Sequence, residues 1–156
     1  MSVLLAVAAV LLSATLQALA TGFWPRSVSF FDLPLIVVLY YGIMKGPTGA
    51  LMVGLGAGLL QDALGGTLLG VNALSKSIVG YLVGVVGLRF ALAPLVSRVL
   101  VLAAATVLSR FIEVGTLAIM GRKLAYAPYP HLIGTVLGNC LIGSIVIGIF
   151  RPESDE

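Results

Sequence analysis

Charge is scarce in this 156-residue chain: Asp, Glu, Lys and Arg make up 10% of it, and three of the six acids are Glu153, Asp155 and Glu156 at the C-terminal end. With 60% apolar residues beside so few charges, the chain cannot clothe a water-soluble domain. The nine Lys and Arg are scattered, whereas phosphate neutralisation needs them clustered on one face, which argues against a nucleic-acid partner. The one cysteine, Cys140, lies in an apolar run, which excludes an intramolecular disulfide and a cysteine-based metal site. His131 is the one histidine, so a zinc site has no ligand set. Enzyme signatures are missing too: no nucleophile elbow, no phosphate-binding Gly-Lys-Ser loop, no histidine with a matching acid, and no serine–histidine or facing-aspartate pair at mid-depth for intramembrane proteolysis. The expectation is a protein that is not an enzyme and binds no cofactor or metal.

Long apolar runs are abundant. They recur near or above the ~20 residues needed to cross ~30 Å of hydrocarbon, so the expected fold is all-α, a polytopic integral membrane six-helix bundle. One transmembrane domain should fill 1–150, with spans at 2–22, 28–44, 48–64, 73–89, 93–120 and 131–150, followed by a short acidic cytoplasmic tail, 151–156. The breaks are chemical. Phe23-Trp24-Pro25-Arg26 joins interfacial aromatics to a helix breaker, Lys45-Gly46-Pro47 reads as a turn, and Gly65-Gly66 ends the third span. Residues 65–72 are too apolar for a solvated loop, which suggests a connection tucked against the bundle. Ala18-Leu19-Ala20 resembles a signal-peptidase site, but no Lys or Arg precedes it and the apolar segment outlasts a typical signal core, so the first span is read as retained. Six spans put both termini on one side. Placing them inside leaves Lys45, Arg89, Arg98 and Arg151 there against Arg26, Arg122 and Lys123 outside, a positive-inside bias of four to three.

Two residue classes stand out within the spans. Gly54 and Gly58, Gly80 and Gly84, and Gly134 and Gly138 are each four apart, so each pair shares a helix face that lets a neighbouring backbone approach. Packing within the bundle is the plainer reading, and docking of another protein's helix the sharper one. Ionisable groups in hydrocarbon are costly unless paired or hydrated. Asp62 and Lys76 fall at similar depth on adjacent antiparallel spans, so a salt bridge across that hairpin is expected. Arg110 and Glu113, three apart with Thr106 on the same stripe, can pair with each other or line a cavity, and both readings stay open. Thr135, Asn139 and Gly143 form a comparable stripe on the sixth span. Asp32 reads as a helix N-cap rather than a site. A proton-coupled carrier would need a carboxylate free to titrate, and each mid-membrane carboxylate here has a cation within reach, which favours a structural role.

The stretch 32–81 resembles a known family. Asp32-Leu33-Pro34 opens a helix ending in Leu39-Tyr40-Tyr41-Gly42. Lys45-Gly46-Pro47 and Gly54-Leu55-Gly56-Ala57-Gly58-Leu59-Leu60-Gln61-Asp62 follow, then Leu69-Gly70-Val71-Asn72-Ala73-Leu74 and Val79-Gly80-Tyr81-Leu82. Together they look like the rod shape-determining protein MreD family, with Asp32, Pro34, Gly70 and Asn72 as motif positions. The resemblance implies a non-enzymatic inner-membrane subunit of the bacterial elongation machinery, which builds lateral peptidoglycan. The implied partner is MreC, a single-pass membrane protein, with RodA, a penicillin-binding transpeptidase, the MreB filament and membrane lipid nearby. The family is similar in fold to the substrate-binding subunits of energy-coupling-factor vitamin transporters, so a small-molecule-binding membrane subunit is the alternative. A vitamin binder needs convergent polar and aromatic groups from outer loops. Trp24, Asn72, Tyr126 and Tyr129 offer no obvious ligand set, which favours the scaffold.

Overall fold

The computed structural model describes residues 3–23, 31–89, 95–121 and 129–149. Within them lie six α-helices: α1 Val3–Phe23, α2 Leu33–Lys45, α3 Pro47–Gly65, α4 Val71–Arg89, α5 Leu95–Ile119 and α6 Tyr129–Ile149. Trp24, Pro25, Arg26, Pro94, Arg122, Lys123, Tyr126 and the tail 151–156 lie outside the described residues, as do the side chains of Tyr129 and His131. The charge count that orients the termini rests partly on those residues.

Four helices are long and apolar enough to cross a membrane: α1 from Leu4, α4, α5, and α6 from Leu132. The sequence reading takes all six as spans, and the structure separates the other two. With 13 residues, α2 covers about 20 Å, short of the ~30 Å of hydrocarbon. Helix α3 has 19 residues, but glycines, Gln61 and Asp62 dilute its hydropathy. The shortness of α2 fits its place inside the bundle, where it packs against α1, α3, α4 and α6. Its start is also later than the expected residue 28: Phe31 and Asp32 are non-helical. Asp32 is the N-cap, its carboxylate accepting from the Leu35 N–H, and Pro34 occupies the first turn, where a missing N–H costs nothing. One residue, Gly46, joins α2 to α3 at φ 85°, a conformation that a side chain would strain.

The bundle is built polar inward. On α1, Leu4, Leu12 and Leu19 point outward, while Ala6, Val10, Ser13, Ala14 and Gln17 form the buried stripe. In lipid no hydrophobic effect pulls helices together, so close packing of small side chains and interhelical hydrogen bonds must hold them. One apolar cluster joins Leu35 and Leu39 of α2 to Val79 and Val83 of α4, Leu102 of α5 and Ile147 of α6. A second, smaller one joins Val10 of α1, Val38 of α2 and Ala57 of α3.

Candidate functional site

Because α2 begins inside the bundle, the free N–H groups of its first turn cannot reach water and must be met by protein. Each is met. The Asp32 N–H donates to Asn139 Oδ1 at 2.8 Å, and the Leu33 N–H to Gln17 Oε1 at 3.2 Å. Pro34 has none, Leu35 is capped by Asp32 Oδ1 at 3.2 Å, and the Ile36 N–H reaches the Asp32 carbonyl at 3.2 Å. Gln17 completes its amide pairing by donating from Nε2 to the Phe31 carbonyl at 3.0 Å. Asn139 stands ten residues from either end of α6, so α2 starts level with the middle of that helix.

The expected Asp62–Lys76 salt bridge does not form. Lys76, fully buried, sends Nζ to Asp32 Oδ2 at 2.9 Å and to Asn72 Oδ1 at 3.2 Å. Asp32 is therefore both the cap of α2 and the partner of the buried cation. Asp62 instead organises the α3–α4 turn. Its carboxylate accepts from Asn72 Nδ2 at 2.7 Å, Thr67 Oγ1 at 2.9 Å, the Gly70 N–H at 2.9 Å and the Asn72 N–H at 3.2 Å. The reason is local: the turn presents these donors within ten residues of Asp62, preorganised by helix ends, whereas capturing Lys76 would strand them in a low-dielectric interior. The depth match between Asp62 and Lys76 holds, since the Asn72 side chain bridges them, its amide donating to one and its carbonyl accepting from the other.

A second branch runs through α5. Ser75 Oγ lies 2.7 Å from Ser109 Oγ, which lies 3.1 Å from Glu113 Oε1, and Arg110 Nη1 donates to Glu113 Oε2 at 2.9 Å. Arg110 thus pairs within its own helix, with 35% of its side chain exposed against 10% for Glu113. On the same helix Thr106 receives Asn139 Nδ2 at 3.1 Å and donates to the Leu102 carbonyl at 2.8 Å. Thr135 is buried one turn from Asn139. All six helices enter these contacts, through Gln17, Asp32, Asp62, Lys76, Thr106 and Asn139 respectively. Among the described residues no group of three or more His, Cys, Asp or Glu is placed to hold a metal ion.

The glycines bring α3 and α4 into backbone contact. A Cβ on Gly54 would lie 2.5 Å from the Lys76 carbonyl oxygen, and one on Gly58 would overlap the backbone of Ala73. From the other side, a Cβ added to Gly84 would lie 2.5 Å from the Pro47 backbone, and one added to Gly80 would lie 2.9 Å from the Ala50 carbonyl oxygen. Both pairs therefore line the same internal seam. Gly134 and Gly138 are half-buried on α6. Of the motif positions, Asp32 and Asn72 sit in the polar network, Pro34 is buried in the first turn of α2, and Gly70, at φ 103°, turns its N–H toward Asp62.

Sequence reasoning missed Gln17, Ser75 and Ser109 as network members. A signal existed for the first, since a glutamine in an apolar span needs an amide or peptide partner. Serines carry less signal, because a hydroxyl can satisfy itself on its own helix.

The family described as rod shape-determining protein MreD matches residues 1–151. No curated protein and no solved structure matches the chain. With a family match over nearly the whole chain and four helices among the described residues long and apolar enough to cross a membrane, this multi-pass membrane protein belongs to the rod shape-determining protein MreD family.

Proposed function

We propose that the protein is a non-enzymatic scaffold in the bacterial inner membrane, a subunit of the cell-elongation machinery that holds the membrane helix of MreC. In that role it supports lateral peptidoglycan synthesis by RodA and a penicillin-binding transpeptidase. The observation that carries this reading is the closure of the polar network. Asp32 is committed to Lys76 and to its own helix cap, and Asp62 to the α3–α4 turn, so both carboxylates act as joints. A carrier would instead keep a carboxylate open to exchange a proton. Membership of a rod shape-determining family supplies the setting.

The test is complementation of a rod-shaped bacterium lacking its own copy, with recovery of MreC from solubilised membranes. Restored rods together with co-purifying MreC are expected. Restored rods with no MreC association, or a vitamin bound in stoichiometric amount, would replace the scaffold with another reading. Cytoplasmic termini belong to the same proposal: Ser27→Cys and Ser154→Cys should label from opposite faces of the membrane.

A further inference from the structure

The ion pair on α5 leaves one edge of a guanidinium unused. Arg110, with 35% of its side chain exposed, gives Nη1 to Glu113, and among the described residues no acceptor meets Nε or Nη2, neither of which is buried. Those two nitrogens form the side edge of the guanidinium, whose parallel N–H groups match two oxygens of one carboxylate or phosphate. The edge is also held in place. Glu113 Oε1 accepts from Ser109, and Ser109 in turn meets Ser75 of α4.

Depth identifies what can reach this edge. Ser75 lies fourteen residues before the end of α4 and Ser109 fourteen after the start of α5, so their 2.7 Å contact sets the two helices side by side as an antiparallel hairpin. Glu113, one turn beyond Ser109, then stands level with Val71, the first residue of α4. The 19 residues of α4 cover about 28 Å, close to the ~30 Å of hydrocarbon, so this level is the boundary between acyl chains and headgroups. Arg110 therefore sits within one helical turn of the boundary, and its pairing with Glu113 directs the guanidinium toward it.

We propose that the Nε and Nη2 edge of Arg110 binds the phosphate of a phospholipid headgroup, on the membrane face that carries the α3–α4 turn. The ion pair with Glu113 is neutral as a whole, so the site reads oxygen geometry rather than net charge. A second copy of the chain supplies no acceptor there: two copies in one membrane run in the same direction and meet at equal depth, where Asp32 and Glu113 are already paired. Phosphate oxygens of the surrounding lipid lie at this height on every side.

The test uses the full-length protein in detergent and does not involve MreC, so its outcome leaves the scaffold reading untouched. Dioleoylphosphatidylglycerol, dioleoylglycerol, which has the same tails and no phosphate, and inorganic phosphate are each titrated in, and binding is read by native mass spectrometry. One retained phospholipid is expected, with no matching dioleoylglycerol adduct. Arg110→Met/Glu113→Gln, which removes the edge without stranding a carboxylate, should bind that phospholipid about 10-fold more weakly. Arg110→Lys keeps the cation beside Glu113 but loses the parallel donors, and should stay closer to the double variant than to wild type. That variant also keeps the question open if the double variant fails to fold. Arg89→Met, at the opposite end of α4, should bind as wild type does. Equal retention of dioleoylglycerol, wild-type binding by the double variant or by Arg110→Lys, or an equal loss in Arg89→Met overturns the site. Displacement of the lipid by millimolar inorganic phosphate would make it a soluble-anion site and overturn the lipid assignment.

Discussion

Two ion pairs among the described residues, Asp32–Lys76 and Arg110–Glu113, have the same 2.9 Å separation and opposite structural meaning. Asp32–Lys76 joins residues 44 apart in the chain, links α2 to α4, and is almost wholly buried. Arg110–Glu113 joins residues three apart on α5 and leaves the guanidinium about one-third exposed. A pair within one helix forms as soon as that helix exists in the membrane, so it lowers the energy of the separate and the assembled helices alike. A pair between helices forms only on assembly, so it holds the bundle together. The comparison shows that distance alone does not say what a buried pair stabilises. The state in which it first forms does.

The largest expected effect comes from separating the interhelical pair. Lys76→Met should destabilise the bundle by about 3–5 kcal/mol, because it leaves the Asp32 carboxylate buried without a cation. Asp32→Asn/Lys76→Met should recover part of that loss, and folded yield in detergent across the four-variant cycle measures it. Additive losses would mean that the pair is not coupled. Next in size is the seam on which α4 is held. Gly58→Leu drives a side chain into the Ala73 backbone and should cost at least ~1–3 kcal/mol, read as a lowered melting temperature. An unchanged melting temperature would mean that α3 and α4 stand further apart.

Smaller again is the coupling between Asp62 and Lys76, which touch only through Asn72. A cycle of Asp62→Asn with Lys76→Met should give an interaction energy below ~1 kcal/mol, clearly less than the Asp32–Lys76 cycle. A coupling equal to or above it would restore the direct hairpin bridge. The smallest change in assembly is expected for the pair within α5. Arg110→Met/Glu113→Gln should shift bundle stability by no more than about 0.5–1 kcal/mol, and a shift as large as that of Lys76→Met would erase the contrast between the two pairs.

Much of the fold is legible from residue types. Lys45-Gly46-Pro47 and Gly65-Gly66 end helices through backbone chemistry that acts within a few residues, and the structure places turns at both. The separate standing of α2 is less legible. Its apolar residues look like those of any span, and its 13 residues suffice only because Gln17 and Asn139, from helices distant in sequence, satisfy its first turn. Within the site, four of the network's charges were visible as costly groups in apolar runs. Their partners were not equally visible: for Lys76, Asp62 is nearer in sequence than Asp32, and proximity along the chain favours the wrong carboxylate.

The sequence by itself determined that the chain is helical and apolar enough to cross a membrane, and that helices break at Lys45-Gly46-Pro47 and at Gly65-Gly66. Each follows from local quantities: hydropathy summed over ~20 residues, the missing N–H of proline and the backbone freedom of glycine. Only the tertiary structure decided which carboxylate neutralises Lys76, how deep α2 begins, and which glycines carry a neighbouring helix. Those outcomes depend on competition among donors and acceptors brought together from all six helices, and in a low-dielectric interior the arrangement that leaves the fewest of them unpaired prevails.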